Sequence, residues 1–191
     1  LDFGFTTGTT ATNSTTVIGM SAGTASDSTN AASMAPGAFT KSTGGAWTSG
    51  TGNNGMGNGL TIASGTWYHV CLANNGGTPD YWFDTSVTCA NRPAGISDVK
   101  YRVVGQFSTC TAVLCSGGAS TSIAAYVTLT VPGGIRVLWN FNASTDGKSV
   151  SSQSMTSQTR TLFTLAVPTG FKVRALFTAT DGGNAHSVRY M

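Results

Sequence analysis

The chain predicts an all-β fold: an antiparallel β-sandwich, jelly-roll-like, over residues 60–191, preceded by an irregular Gly/Ser/Thr-rich arm over residues 1–59. Three observations predict it. From Leu60 onward, short runs rich in Val, Tyr, Phe, Trp and Thr are each bounded by Gly, Pro, Asn or Asp, which is how strands alternate with turns. No window carries an apolar period of 3.6 residues, so at most one or two helical turns are expected, within 28–34. Finally, VTLTVPGGIRVLWNFNA at 127–143 and FTLAVPTGFKVRALFTA at 163–179 agree at eight of seventeen positions at an offset of 36. Each copy alternates apolar and polar residues on both sides of a Val-Pro-x-Gly turn, so one β-hairpin is written twice.

Taken in order, the arm comes first. Forty-five of the first 59 residues are Gly, Ser, Thr, Asn or Ala, with three charges, and the segment ends in GTGNNGMGNG at 50–59. Such a stretch cannot supply a normal core by itself, yet its low charge separates it from a disordered tail, which resists collapse through net charge. Apolar islands at 3–5, at 17–20 and at Phe39 imply an arm or small subdomain that packs against neighbouring chains or over the main domain.

Strands are expected at 66–73, 81–85, 99–108, 123–131, 135–143, 160–167, 171–180 and 187–190, enough for two layers. Turns fall at Asn74-Asn75-Gly76-Gly77, Pro93-Ala94-Gly95, Asp146-Gly147 and Asp181-Gly182-Gly183. In the duplicated hairpin the second copy has Thr169 where the first has Gly133. Threonine resists positive φ, which excludes a shared type II turn. The remaining solution is a type I turn with Pro132 or Pro168 at its second position and Gly134 or Gly170 in the left-handed region after it. After the turn, Ile135, Val137, Trp139 and Phe141 share a core-facing side, while Arg136 and Asn140 take the other.

Composition narrows the function classes. Charged residues make up 9% of the chain, against about 25% in an ordinary soluble domain. Uncharged Ser, Thr, Asn and Gly take their place, which suits an extracellular or virion surface or a tightly packed oligomer. The net charge of +3 is spread over ten scattered Lys and Arg, with no basic run to follow a phosphate backbone, so nucleic acid is not an expected partner. No apolar window reaches 18 residues and the start lacks the basic-then-apolar form of a signal peptide. A chain that opens on Leu1 is expected to be processed or to be part of a longer product.

The four cysteines, Cys71, Cys89, Cys110 and Cys115, have no Cys-x-x-Cys spacing, and neither of the two histidines lies close to a cysteine pair, so zinc is not expected. Cys110 and Cys115 flank a short segment that a disulfide can bridge, leaving Cys71 and Cys89 as a second pair. Reduced, buried thiols are an equal alternative, because one sequence does not fix the redox compartment.

Ahead of the repeat stand GTWYHVCLANNGGTPDYWFDTS at 65–86 and RPAGISDVKYRVVGQFST at 92–109. Their order is a Thr-Trp-Tyr-His strand at 66–69, an Asp-x-x-Phe-Asp-Thr-Ser strand at 80–86, a Pro-Ala-Gly step at 93–95 and a Lys-Tyr-Arg-x-x-Gly strand at 100–105. The combination resembles a module of fibre and tail-associated proteins of tailed bacteriophages and prophages, over roughly residues 60–143, with the Val-Pro-x-Gly hairpins as a fitting extension. The cysteines depart from it, and the arm has no counterpart in it. The resemblance implies a virion surface protein, displayed as an oligomer, a homotrimer by analogy with fibres, with no catalytic activity and no cofactor.

Motifs that would carry chemistry fare poorly. Gly19-Met20-Ser21-Ala22-Gly23 has the form of a nucleophile elbow but no helix is expected behind it, and His186 is the sole histidine downstream besides His69. Gly50-x-Gly52-x-x-Gly55 lacks the strand, helix and acidic residue of a dinucleotide site, and Asp146-Gly147-Lys148-Ser149 lacks the first glycine of a phosphate loop. Glycan cleavage needs two spaced carboxylates; the chain has no Glu, and among its seven Asp only Asp80 and Asp84 can share a strand face. The aromatics Trp67, Tyr81, Phe83, Trp139 and Phe141 lie in alternating strands and are expected in the core. Trp47, in a polar Gly-Thr-Ser context, is expected as an anchor into a neighbouring subunit or a ligand platform, His69 as a satisfied strand residue, and His186 as an exposed loop residue sharing with Trp47 the role of interface or ligand contact.

These readings together point to a non-enzymatic virion structural protein of a tailed phage that forms a fibre, tail appendage or capsid-surface protrusion. Its expected partners are itself, other virion proteins and a host-surface glycan or protein, without membrane insertion. The alternatives are a secreted or cell-surface carbohydrate-binding module and a polysaccharide-degrading tailspike.

Overall fold

The computed structural model describes residues 5–7, 16–97, 100–110, 120–124, 126–131 and 134–139. Their strands are β1 (Phe5–Thr7), β2 (Val17–Met20), β3 (Ala25–Ser26), β4 (Ser33–Met34), β5 (Phe39–Ala46), β6 (Asn53–Met56), β7 (Trp67–Asn75), β8 (Thr78–Asp84), β9 (Tyr101–Ser108), β10 (Tyr126–Val131) and β11 (Gly134–Trp139). The described residues are all-β, with no helix among them. A seven-stranded sheet runs in the order β1-β2-β5-β6-β8-β7-β9, with β3-β4 and β10-β11 as separate two-stranded sheets.

The sheet is mixed, which corrects the expectation of an antiparallel one. β6 runs parallel to both β5 and β8. The reason is local: the register of β5 shifts between Ser42 and Ala46, at the Gly44-Gly45 pair, and the chain then doubles back through residues 47–52. Gly50 and Gly52 both hold positive φ there, 95° and 78°, which a side-chain-bearing residue resists. The return lets β6 re-enter alongside β5 in the same direction. Residues read from sequence as an arm thus supply four of the seven strands, β1, β2, β5 and β6.

No helical turn forms within 28–34. The Asp27 carboxylate instead accepts hydrogen bonds from the backbone N–H groups of Thr29, Ala31 and Ala32, and Asn30 sits at φ 59°. A side chain that takes up those donors, with a left-handed residue in the middle, competes directly with a helix. Arg102 of β9 clamps the resulting loop through the carbonyls of Ser26 and Asp27 and the side-chain oxygen of Asn30.

β7 and β8 form the expected hairpin, closed at Asn75↔Thr78. Gly76 and Gly77 occupy its two-residue loop at φ 59° and 95°; positive φ at both central positions is the type I′ geometry that matches strand twist. The two strands are buried almost without a break, from Tyr68 through Ala73 and from Asp80 through Asp84, because both faces of the sheet are covered. One face holds Tyr68, Val70, Leu72, Tyr81, Phe83 and Phe107 against Ile18, Met20 and Met34. Phe107 stacks on Tyr68 with centroids 5.3 Å apart and meets Phe83 edge-on at 5.0 Å. The other face holds Cys71, Ala73 and Trp82 under Cys89 and Ile96 of the segment that follows β8.

The first copy of the duplicated hairpin folds as β10 and β11 in one unbroken register, from Tyr126↔Trp139 to Val131↔Gly134. Gly134 is the first residue of β11. Pro132, Pro168 and Gly170, and with them the turn type and the second copy, lie outside the described residues.

Candidate functional site

The most unusual chemistry of the described chain is a lysine with no exposure at all. Lys41 lies in the middle of β5 and pairs in the ladder with Asn53 of β6. β6 in turn meets β8 through one pair, Met56↔Phe83; three residues back along this parallel register, Asn53 falls level with Asp80. Lys41 and Asp80 therefore stand on one row of the sheet, on either side of β6, where the β6/β8 ladder has ended. An ion pair closes the row. Lys41 Nζ lies 3.1 Å from Asp80 Oδ1, with the side chains 0% and 3% exposed.

The loop 47–52 wraps this pair. Lys41 Nζ also donates to the Thr48 carbonyl and sits 5.4 Å and 5.1 Å from the ring centroids of Phe39 and Trp47, within cation–π range. Asp80 Oδ2 accepts from the Gly50 N–H at 2.9 Å and the Ser49 hydroxyl at 3.2 Å, and Oδ1 accepts from the Tyr81 N–H at 2.7 Å. Burial pulls the Lys41 ammonium below the ordinary lysine range, with the Asp80 charge and hydrogen bond opposing that shift. Burial likewise pushes the neighbouring Tyr81 phenol upward, with the Asp80 charge adding to it. Four donors around one carboxylate and two aromatic walls around the ammonium make this a dry, polar centre inside an otherwise apolar sheet.

A second buried carboxylate organises the segment beyond β8. Asp84 accepts from the Ser86 N–H and the Asn91 side-chain amide through Oδ1, at 2.8 Å each. Through Oδ2 it accepts from the Asn91 N–H at 2.8 Å and the Trp82 indole at 3.3 Å. The Cys71–Cys89 disulfide ties the same segment to β7, and Cys110 is disulfide-bonded as well; of the two alternatives left open by the sequence, the described cysteines take the oxidised one. Asp84 faces His69 across the β7/β8 ladder, and His69 is fully buried.

Burial, which disfavours the imidazolium, outweighs the Asp84 carboxylate, which favours it, and holds His69 below its ordinary value of about 6.5. The unfolded chain then takes up this proton first as pH falls, so His69 subtracts stability below about pH 6.5 and continues to do so down to its folded-state value. The thermal midpoint is expected to drop between about pH 7 and about pH 5, with His69→Gln flattening that part of the profile. A profile unmoved by the substitution would exclude His69 as its source.

Trp47, expected to anchor a neighbour or offer a platform, packs instead within its own chain. Its half-buried ring joins Tyr101, Val103 and the disulfide-bearing cluster, and its indole N–H is buried with no hydrogen-bond partner. Gly95 of the Pro-Ala-Gly step lies on it so closely that an added Cβ would come within 2.7 Å of Trp47 Cζ3. Gly95→Ala is expected to displace the ring and lower stability by about 1–3 kcal/mol, read as a shifted tryptophan emission together with a lower denaturation midpoint. His186 lies outside the described residues.

Of the other motifs, Ser21 follows β2 and leads through non-helical chain to β3, so the elbow geometry is not built there. Gly50 of the glycine motif is a ligand of Asp80. Asp80 and Asp84 do share a face of β8, but four residues at about 3.3 Å each set them about 13 Å apart along the strand, beyond the roughly 5–9.5 Å of a glycosidase pair. Each is also saturated by its own donors. Among the described residues no three His, Cys, Asp or Glu converge as metal ligands.

Sequence reasoning passed over Lys41. Its signal was its isolation, as the only Lys or Arg in the first 91 residues. No protein-family model matches the chain, and no curated protein or solved structure matches it.

Proposed function

We propose that this chain is a non-enzymatic structural protein of a tailed-phage virion, a fibre, tail appendage or capsid-surface protrusion that contacts the host surface and works as a homotrimer. The observation that carries the reading is the coincidence of the phage-like motifs with one structural unit. Residues 67–69, 80–84 and 101–105 of these motifs lie on β7, β8 and β9, which are consecutive in space as β8-β7-β9, and the Pro-Ala-Gly step between them seats Trp47. The residues that define the resemblance are thus those that build one end of the sheet, including its doubly covered strands β7 and β8. Three further features suit a rigid extracellular scaffold: disulfide bonding, few charges, and carboxylates spent on loop-fixing hydrogen bonds. The reading includes a jelly-roll-like sandwich completed by the duplicated hairpin, and it requires neither cofactor nor nucleic acid nor membrane insertion.

The carbohydrate-binding alternative needs a ring free to stack on a sugar. Among the described residues the exposed large apolar side chain is Val17, whereas Tyr68, Tyr81, Trp82, Phe83 and Phe107 are buried, which favours the structural reading.

Native mass measurement separates the two. A stable trimer is expected; a monomer that binds a simple glycan would overturn the proposal. Immuno-labelled negative-stain images of the source particles, with label on tail or head, test the virion assignment itself.

A further inference from the structure

From the placement of Lys41 and Asp80 we infer that the two side chains join covalently, as an intramolecular isopeptide bond between β5 and β8. Four features of the site carry it. Nucleophile and carboxyl are already in contact, at 3.1 Å, and are held from opposite sides of a four-residue strand, so the reaction is intramolecular and its translational entropy is spent in folding. Both groups are out of water, where an unreacted pair of charges is held at a desolvation cost that an uncharged amide removes. Asp80 Oδ2 already receives the Gly50 N–H and the Ser49 hydroxyl, donors placed where an oxyanion would develop. The Thr48 carbonyl already accepts from Nζ, and it remains the partner of the one N–H that an amide keeps. Burial also favours the neutral amine that attack requires.

The step balances without a co-reactant. Nζ passes one proton to Oδ1, giving a neutral amine and a neutral carboxylic acid. The Nζ lone pair attacks Cγ, and the displaced π electrons settle on Oδ2 against Gly50 and Ser49. Nζ then gives a second proton to Oδ1, the Cγ–Oδ1 bond breaks, and one water leaves as the Cγ–Oδ2 double bond reforms. No electron is gained or lost. The amide ties together two strands at a point where the backbone ladder between β6 and β8 is a single pair, and it does so whether or not the chain belongs to a virion.

Intact-mass spectrometry of the folded-then-denatured, fully reduced protein tests this directly. The expected mass is lighter than that of the sequence by one water, and trypsin is expected to leave residues 1–100 as one fragment, because Lys41 is blocked and Arg92 precedes Pro93. An unshifted mass with cleavage after Lys41 would overturn the inference. Asp80→Ala is expected to restore the full mass and the cut at Lys41; persistence of the water loss in that variant would equally overturn the assignment to this pair.

Discussion

Asp80→Ala is expected to lower the free energy of unfolding by about 3–5 kcal/mol, the usual consequence of leaving one buried charge without its partner. The substitution strands the Lys41 ammonium, which has no exposure and retains only the Thr48 carbonyl and two ring faces. It also removes the acceptor of the Gly50 N–H and the Ser49 hydroxyl, so the 47–52 loop loses its tether. Lys41→Met is expected to be milder, because Asp80 keeps three donors, from Ser49, Gly50 and the Tyr81 backbone. The double variant Lys41→Met/Asp80→Ala should therefore lose less than the two single losses added together. Urea denaturation of the four proteins closes the cycle; strict additivity would mean that the pair contributes nothing as a pair. The inferred amide adds to the loss in Asp80→Ala, since a cross-link is removed along with the charge.

The second large effect concerns the Cys71–Cys89 disulfide. Its cysteines are 18 residues apart, and closing a loop of that length removes about 3 kcal/mol of chain entropy from the unfolded state at room temperature. Cys71→Ala/Cys89→Ala is expected to lower stability by about that amount, together with a smaller packing loss where both side chains lie in the Trp82 and Ile96 cluster. The location of the effect is also specific. The bond anchors the segment that carries Asn91, Pro93 and Gly95 over Trp47, so the variant should show faster amide exchange at 86–96 than along β7. Uniform exchange across the sheet would instead mean that the disulfide acts on the unfolded chain alone.

Much of the strand inventory was legible because its determinants are short-ranged. Alternation and turn residues within a window of some ten positions placed β7, β8, β9, β10 and β11 close to their observed ends, and Asn75-Gly76-Gly77 marked the tight hairpin for a reason confined to its own backbone. These strands and the first copy of the hairpin needed no tertiary information. No helical turn forms within 28–34 because the Asp27 side chain takes up the amide donors that such a turn would use. That capture is local, and an Asp followed by Ser-Thr-Asn was its available signal. The low-complexity start was harder. Its strands are short and poor in large apolar residues, and they hold only because neighbouring strands cover them.

By itself the sequence determined the all-β character of the described residues, the hairpin of β10 and β11, the spacing that lets Cys71 reach Cys89, and the scarcity of charge that leaves each charged residue conspicuous. The tertiary structure alone decided that β6 runs parallel between β5 and β8, that Trp47 is roofed by Gly95, and that Lys41 meets Asp80, 39 residues later in the chain. The physical reason is range. Alternation and turn geometry act between residues a few positions apart, whereas an ion pair in a dry interior exists only once several strands have excluded water from both of its members.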